Sequence, residues 1–168
     1  MRSAKLSRVA MLGLITAVAM ILSYVESLIP PIWAAVPGIK IGLPNIVLVL
    51  LLYKVGLKET AIVSFVRILL TAIMFGTVMT FAYSVAGAAL SLVMMALFKR
   101  INIFSAVGVS IVGGVTHNLG QILVAIMLFD TLQLGYYMIV LAFTGTVAGV
   151  FVGLCGSVLL KRLERISF

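Results

Sequence analysis

The sequence predicts an all-α integral membrane protein: a bundle of six transmembrane helices with cytoplasmic N- and C-termini. Three observations carry that expectation. The 168-residue chain is 64% hydrophobic and 10% charged, against roughly 45–50% and 25% for an ordinary soluble domain. Residues 9–25, 68–98, 101–129 and 131–160 carry no charge, and a spanning helix needs about 20 mostly apolar residues. Ten of the twelve basic residues form four clusters at the ends of apolar stretches: Arg2, Lys5 and Arg8; Lys54 and Lys58; Lys99 and Arg100; Lys161, Arg162 and Arg165. Short cytoplasmic segments collect Lys and Arg in this way. The net charge of +8 therefore reads as a topology signal with some attraction to anionic membrane lipid, not as a nucleic-acid footprint. A soluble enzyme, a disordered chain and a disulfide scaffold are excluded at this level, and the lone Cys155 says nothing of redox compartment.

The elements follow in order. If the four clusters share one side, an even number of crossings separates each pair. Between Arg8 and Lys54 one hairpin fits, turned at Pro30-Pro31. Lys58 and Lys99 enclose 40 residues and Arg100 and Lys161 enclose 60, two spans each, the last pair turned at Asp130 to Gly135. The expected helices are 7–29, 43–56, 59–75, 79–98, 104–128 and 136–160, a single transmembrane domain over 1–168. The first reads as a retained helix, since its apolar run is long for a signal peptide and lacks a convincing cleavage site. The second is short, which predicts a tilted or irregular helix, or one flanked by a snorkelling Lys40. The outer loop from Pro30 to Pro44 holds Trp33, a residue type of the interfacial belt. That loop reads either as a plain connection or as a lid over an outward-facing site.

Polar residues within the spans are the candidate site. Arg67 falls in the third helix, because a helix starting after it would leave only 68–78 to cross the bilayer. A guanidinium at depth needs a carboxylate, backbone carbonyls, water or an anionic ligand. Glu26, near the outer end of helix one, is the acid within a span. Arg67 therefore either pairs with Glu26, faces a ligand, or snorkels to the cytoplasmic surface. In helix five, His117 and Gln121 share a face and Asn118 points about 100° away. They read either as hydrogen-bonding glue between helices or as the polar wall of a cavity. A metal site is not expected, as the single His has no Cys or acid at ligand spacing. Small residues recur: Ala10, Gly13 and Ala17 form a stripe on helix one, and Gly145, Gly149 and Gly153 are spaced by four. Such stripes serve packing within the bundle or docking of another membrane protein. No phosphate loop, H-E-x-x-H, C-x-x-C or hydrolase triad is present, and the one aspartate cannot build an aspartate-rich magnesium diphosphate site. No catalytic residue and no cofactor is assigned.

Three blocks bring a family resemblance: PGIKIGLPNIV at Pro37 to Val47, RILL at Arg67 to Leu70, and HNLGQILVA at His117 to Ala125. Over nearly its whole length the chain resembles the Gx transporter family of bacterial membrane proteins, often labelled heptaprenyl diphosphate synthase component I. It departs from the pattern at Pro44, where a small residue is expected, so the start of helix two is open. The resemblance has two implications. One is architectural: the chain is similar to the substrate-binding S-components of energy-coupling factor transporters in the bacterial cytoplasmic membrane. In those proteins a ligand sits beneath the first outer loop. The helix-one stripe docks on a transmembrane coupling subunit, and separate ATPases supply energy. The other is a non-catalytic membrane component of a polyprenyl diphosphate synthase. On the first, Arg67, His117, Asn118 and Gln121 would contact a small molecule, with Lys40, Asn45 and Glu26 nearer the mouth. The ligand would be anionic or carbonyl-rich, of flavin, quinone or isoprenoid type.

Overall fold

The computed structural model describes residues 2–29 and 41–164, with side chains from residue 6 onward. Trp33 and Lys40, and with them most of the first outer loop, lie outside the described residues. Among the described residues all regular structure is helical: α1 (Arg2–Leu28), α2 (Leu43–Lys54), α3 (Leu57–Phe75), α4 (Val78–Ile101), α5 (Ala106–Phe129) and α6 (Tyr137–Arg162), with a short 3₁₀ turn, Leu132–Tyr136, before α6. Each of the six expected helices has a counterpart.

Local chemistry sets the ends. Gly42, at φ 83°, supplies the left-handed turn that opens α2, and Pro44 occupies its first turn, where a missing N–H costs nothing. The departure at Pro44 thus marks the helix start rather than disturbing it. Thr77 and Thr80 cap α4 reciprocally, Ser105 caps α5, and Asp130 ends α5 in the left-handed region.

Four segments are long and apolar enough to cross a membrane: Leu6–Leu28, Val78–Ile101, Ala106–Phe129 and Leu132–Arg162. The other two helices differ for separate reasons. At 12 residues, α2 extends only about 18 Å. At 19 residues, α3 extends about 28 Å but carries Lys58, Glu59 and Arg67.

Neighbouring helices close a ring in the order α1, α2, α6, α5, α4, α3 and back to α1. Glycines set the α5–α6 and α4–α5 contacts. A Cβ on Gly114 would lie 2.3 Å from the Gly145 carbonyl oxygen, and one on Gly149 would lie 2.6 Å from Ile111 Cα. Backbone meets backbone there, as the four-residue spacing on α6 anticipates. Apolar packing of Val49, Leu52, Leu92, Met95, Val109 and Val152 joins α2, α4, α5 and α6, while Leu48, Leu51 and Val63 pack with Leu12 and Ile15 between α1, α2 and α3. Outward-facing positions are strongly apolar, among them Leu14, Ile73, Met127, Ile139 and Phe143. An apolar exterior around a partly polar interior suits a hydrocarbon solvent.

The basic clusters converge on one end of the bundle. Arg8 of α1 pairs with Glu59 of α3 at 2.6 Å. Lys54 of α2 donates to the Leu163 carbonyl after α6 at 2.8 Å. Lys99 of α4 donates to the Leu52 carbonyl of α2 at 2.5 Å and lies over the Tyr53 ring. Lysine at a helix C-terminus satisfies free carbonyls and complements the dipole.

Candidate functional site

The ring encloses a cavity of about 210 Å³, and all six helices line it. Along α5 the lining runs from Ser110 to Gln121, about 16 Å of axis, so the space is elongated. The walls mix apolar groups such as Val49, Phe81 and Val152 with hydroxyls, amides and two charges. That composition, apolar with a few convergent polar groups, is typical of small-molecule sites.

Arg67 is the central polar group. It is 9% exposed, and its Nη1 donates to Ser23 Oγ across the α1–α3 contact at 3.1 Å. Its Nε is buried with no protein acceptor. The expected alternative of a direct Arg67–Glu26 pair is not what forms: among the described residues the ion pair is Arg8–Glu59. The Glu26 carboxylate instead accepts from the Gly42 N–H. That bond ties α1 to the turn that opens α2. Both Arg67 and Glu26 line the cavity, so they share one space without touching. Arg67 does not snorkel to the basic end.

On α5 the three polar residues divide. The Asn118 amide donates to the Leu141 carbonyl of α6 at 2.7 Å, which makes it interhelical glue at the cavity wall. The Gln121 amide nitrogen lies 3.3 Å from His117 Nε2, so the two side chains brace each other one turn apart. The His117 ring packs over Gly87 of α4, where a Cβ would come within 3.0 Å of it. All three residues line the cavity, as does Asn45 beside the Gly42 turn. Of the seven residues expected at the site, Lys40 lies outside the described residues and the other six line this one space.

The sequence reading overlooked a set of hydroxyls. Ser23, Thr71, Thr80, Ser84, Ser91 and Ser110 also line the cavity. Ser23 is 7% exposed and bonds back to the Ala19 carbonyl while receiving Arg67. The available signal was spacing: Ser23 stands three residues before Glu26, hence on the same face of α1.

The helix-one stripe behaves differently. Ala10, Gly13 and Ala17 are exposed on the described bundle, and a Cβ on Gly13 would meet nothing within 4 Å. Among the described residues nothing packs against this stripe, whereas Gly145, Gly149 and Gly153 pack against α5.

No curated protein and no solved structure matches the chain. The family model described as heptaprenyl diphosphate synthase component I matches residues 15–159, from the middle of α1 to the last turn of α6, and the protein belongs to that family.

Proposed function

We infer that this protein is a small-molecule-binding membrane subunit of a transporter, of the S-component type. On this reading it is one transmembrane domain over residues 1–168. It crosses the bacterial cytoplasmic membrane six times, with both termini and the basic clusters inside. The cavity, rimmed by Glu26 and the Gly42 turn, faces the other side. The observation that carries the reading is the buried Arg67 guanidinium. It lines a cavity to which every helix contributes, and among the described residues it bonds to one neutral hydroxyl, that of Ser23, and pairs with no carboxylate. A charge held at that depth costs roughly 2.5–3.5 kcal/mol even by lenient insertion scales, and a ligand oxygen would offset part of it.

Arg67, His117, Asn118 and Gln121 contact the ligand on this reading, with Asn45, Glu26 and, by sequence position alone, Lys40 nearer the mouth. The arginine favours an anionic or carbonyl-rich molecule, of flavin, quinone or isoprenoid type. The exposed stripe Ala10, Gly13 and Ala17 is the docking face for a transmembrane coupling subunit, whose partner ATPases would supply energy that this chain has no motif to harvest. Native mass spectrometry of gently extracted protein tests both halves, since a co-purified ligand and a bound subunit appear as mass increments. Arg67→Ala and His117→Ala are each expected to weaken ligand binding by roughly tenfold or more. Unchanged affinity in both would sink the site.

The family description favours a second reading, a membrane component of a heptaprenyl diphosphate synthase. Catalysis of chain elongation by this subunit is not part of it. The four acids are scattered: Glu59 is held by Arg8, Glu26 by Gly42, Asp130 caps α5 and Glu164 follows α6. Gripping magnesium diphosphate takes clustered carboxylates. An accessory role predicts that adding this protein to a prenyl synthase partner raises elongation activity, and no increase would dispose of it.

A further inference from the structure

We propose that this cavity takes a small zwitterion of amino-acid type, its carboxylate on Arg67 and its ammonium on Glu26. The proposal rests on the cavity being a ligand site with Arg67 as the partner of an anionic group, and it adds a second charge and a size. Two opposite charges share this space and leave each other alone. Glu26 and Arg67 both line it, yet no nitrogen of the arginine comes within 4.0 Å of a glutamate oxygen. Each is fastened by a neutral group instead. Arg67 Nη1 donates to Ser23 Oγ, and Glu26 Oε1 accepts the Gly42 N–H. Each side chain then has one terminal atom left. In the guanidinium Nη1 is used and Nε is enclosed, which leaves Nη2. In the carboxylate Oε1 is used, which leaves Oε2. Neither remaining atom bonds to a described residue, and neither is among the enclosed atoms.

Spacing says what can join them. Ser23, which holds the guanidinium, stands three residues before Glu26 on the same face of α1, about 4.5 Å along the axis. A molecule with a carboxylate and an ammonium one or two carbons apart reaches Arg67 with one end and Glu26 with the other. Charge balance points the same way. Among the described residues Glu26 and Arg67 are the two carboxylate or basic side chains in the lining, apart from the His117 ring. A plain anion would satisfy the arginine but set a second negative charge beside Glu26, and a plain cation would leave Arg67 without a counter-charge. A buried charge without a partner is costly. A zwitterion pairs both and carries no net charge into the bilayer interior. The remaining walls include the hydroxyls of Ser91 and Ser110, so the ligand's own side chain is uncharged. The cavity's volume of about 210 Å³ lies below the roughly 300–1,000 Å³ of pockets for drug-sized molecules, which suits a ligand of this scale.

The test uses the full chain in phosphatidylcholine nanodiscs. The probes are the common L-amino acids with uncharged side chains, and β-alanine, each in millimolar excess. At least one should raise the unfolding midpoint. The best binder is then compared by calorimetry with its deamino acid, which lacks the ammonium, and its decarboxylated amine, which lacks the carboxylate. Each should bind roughly tenfold or more weakly. Glu26→Gln retains an acceptor for the Gly42 N–H. It should weaken the amino acid by roughly tenfold or more and bring its preference over the deamino acid to about one. Arg67→Gln should erase the preference over the amine in the same way. A structural loss alone would weaken all three ligands alike, and the Glu26 arm stands by itself if Arg67→Gln does not fold. A deamino acid that binds as well as its amino acid, or a preference that survives Glu26→Gln, would make the ligand an anion and leave Arg67 in place. Binding that survives both substitutions lies elsewhere and overturns the proposal too. If no probe shifts the midpoint, the zwitterion fails, and the co-purified mass decides separately whether the cavity holds a ligand.

Discussion

Arg67 reaches Ser23 rather than Glu26: its Nη1 donates to the serine hydroxyl at 3.1 Å, while the glutamate holds the Gly42 N–H. A neutral hydroxyl thus positions the buried cation, and the carboxylate that could have neutralised it fastens the start of α2. The arrangement keeps a guanidinium donor available inside the bundle. It also makes Ser23 the residue on which the arginine's orientation depends.

Ser23→Ala removes the acceptor of a buried charged donor. A stability loss of about 1–3 kcal/mol is expected, read as a lower midpoint of thermal unfolding in detergent. Glu26→Gln retains an acceptor for the Gly42 N–H and should cost less than Ser23→Ala. A larger loss in Glu26→Gln would mean that charge attraction to Arg67, and not the hydroxyl, holds the arginine.

The glycines separate into two groups that the same substitution distinguishes. Gly114→Ala and Gly149→Ala each place a methyl against backbone of the neighbouring helix, and overpacking of that kind costs about 1–3 kcal/mol. Gly13→Ala meets nothing within 4 Å and lies inside a helix, so a gain of roughly 0.5–1 kcal/mol is expected. Thermal unfolding of the three variants side by side checks the contrast. Gly13→Leu adds a second readout: unchanged unfolding of the isolated protein, with loss of any transmembrane partner from native mass spectra.

Asn118→Leu breaks the amide bond to the Leu141 carbonyl, which Thr144 Oγ1 also approaches at 3.2 Å. The carbonyl keeps one donor, so the loss should be about 0.6 kcal/mol, the usual size for such contacts in membranes. Arg8→Ala at the exposed Arg8–Glu59 pair should cost less than about 1 kcal/mol. Urea or thermal unfolding of both variants would reveal a larger effect if either contact organised the bundle.

Topology can be read by cysteine labelling in a Cys155→Ser background. Single cysteines at Gly56 and Asn102 should react only from the cytoplasmic side, together with tags on both termini. Cysteines at Thr77 and Asp130 should react with impermeant maleimide from outside intact cells. Reaction of Gly56 or Asn102 from outside would refute six crossings with internal termini.

Helix number and approximate position were legible from charge and apolar length alone, because both are properties of sequence order. Cationic clusters mark the ends of elements, and uncharged runs mark their length. The place of Arg67 within the third helix was legible for the same reason, since too few residues remain between it and the fourth element for a helix to start after it. The α6 glycines were legible through their four-residue period, which places them on one helix face. Three matters came only from the tertiary structure. These were the partner of Arg67, the outward direction of the Ala10–Gly13–Ala17 stripe, and the packing of the His117 ring over Gly87 of α4. Periodicity says which residues share a face but not which helix that face meets. Ser23, 44 residues from Arg67 in sequence, became its partner through the packing of α1 on α3, a relation that no local pattern encodes.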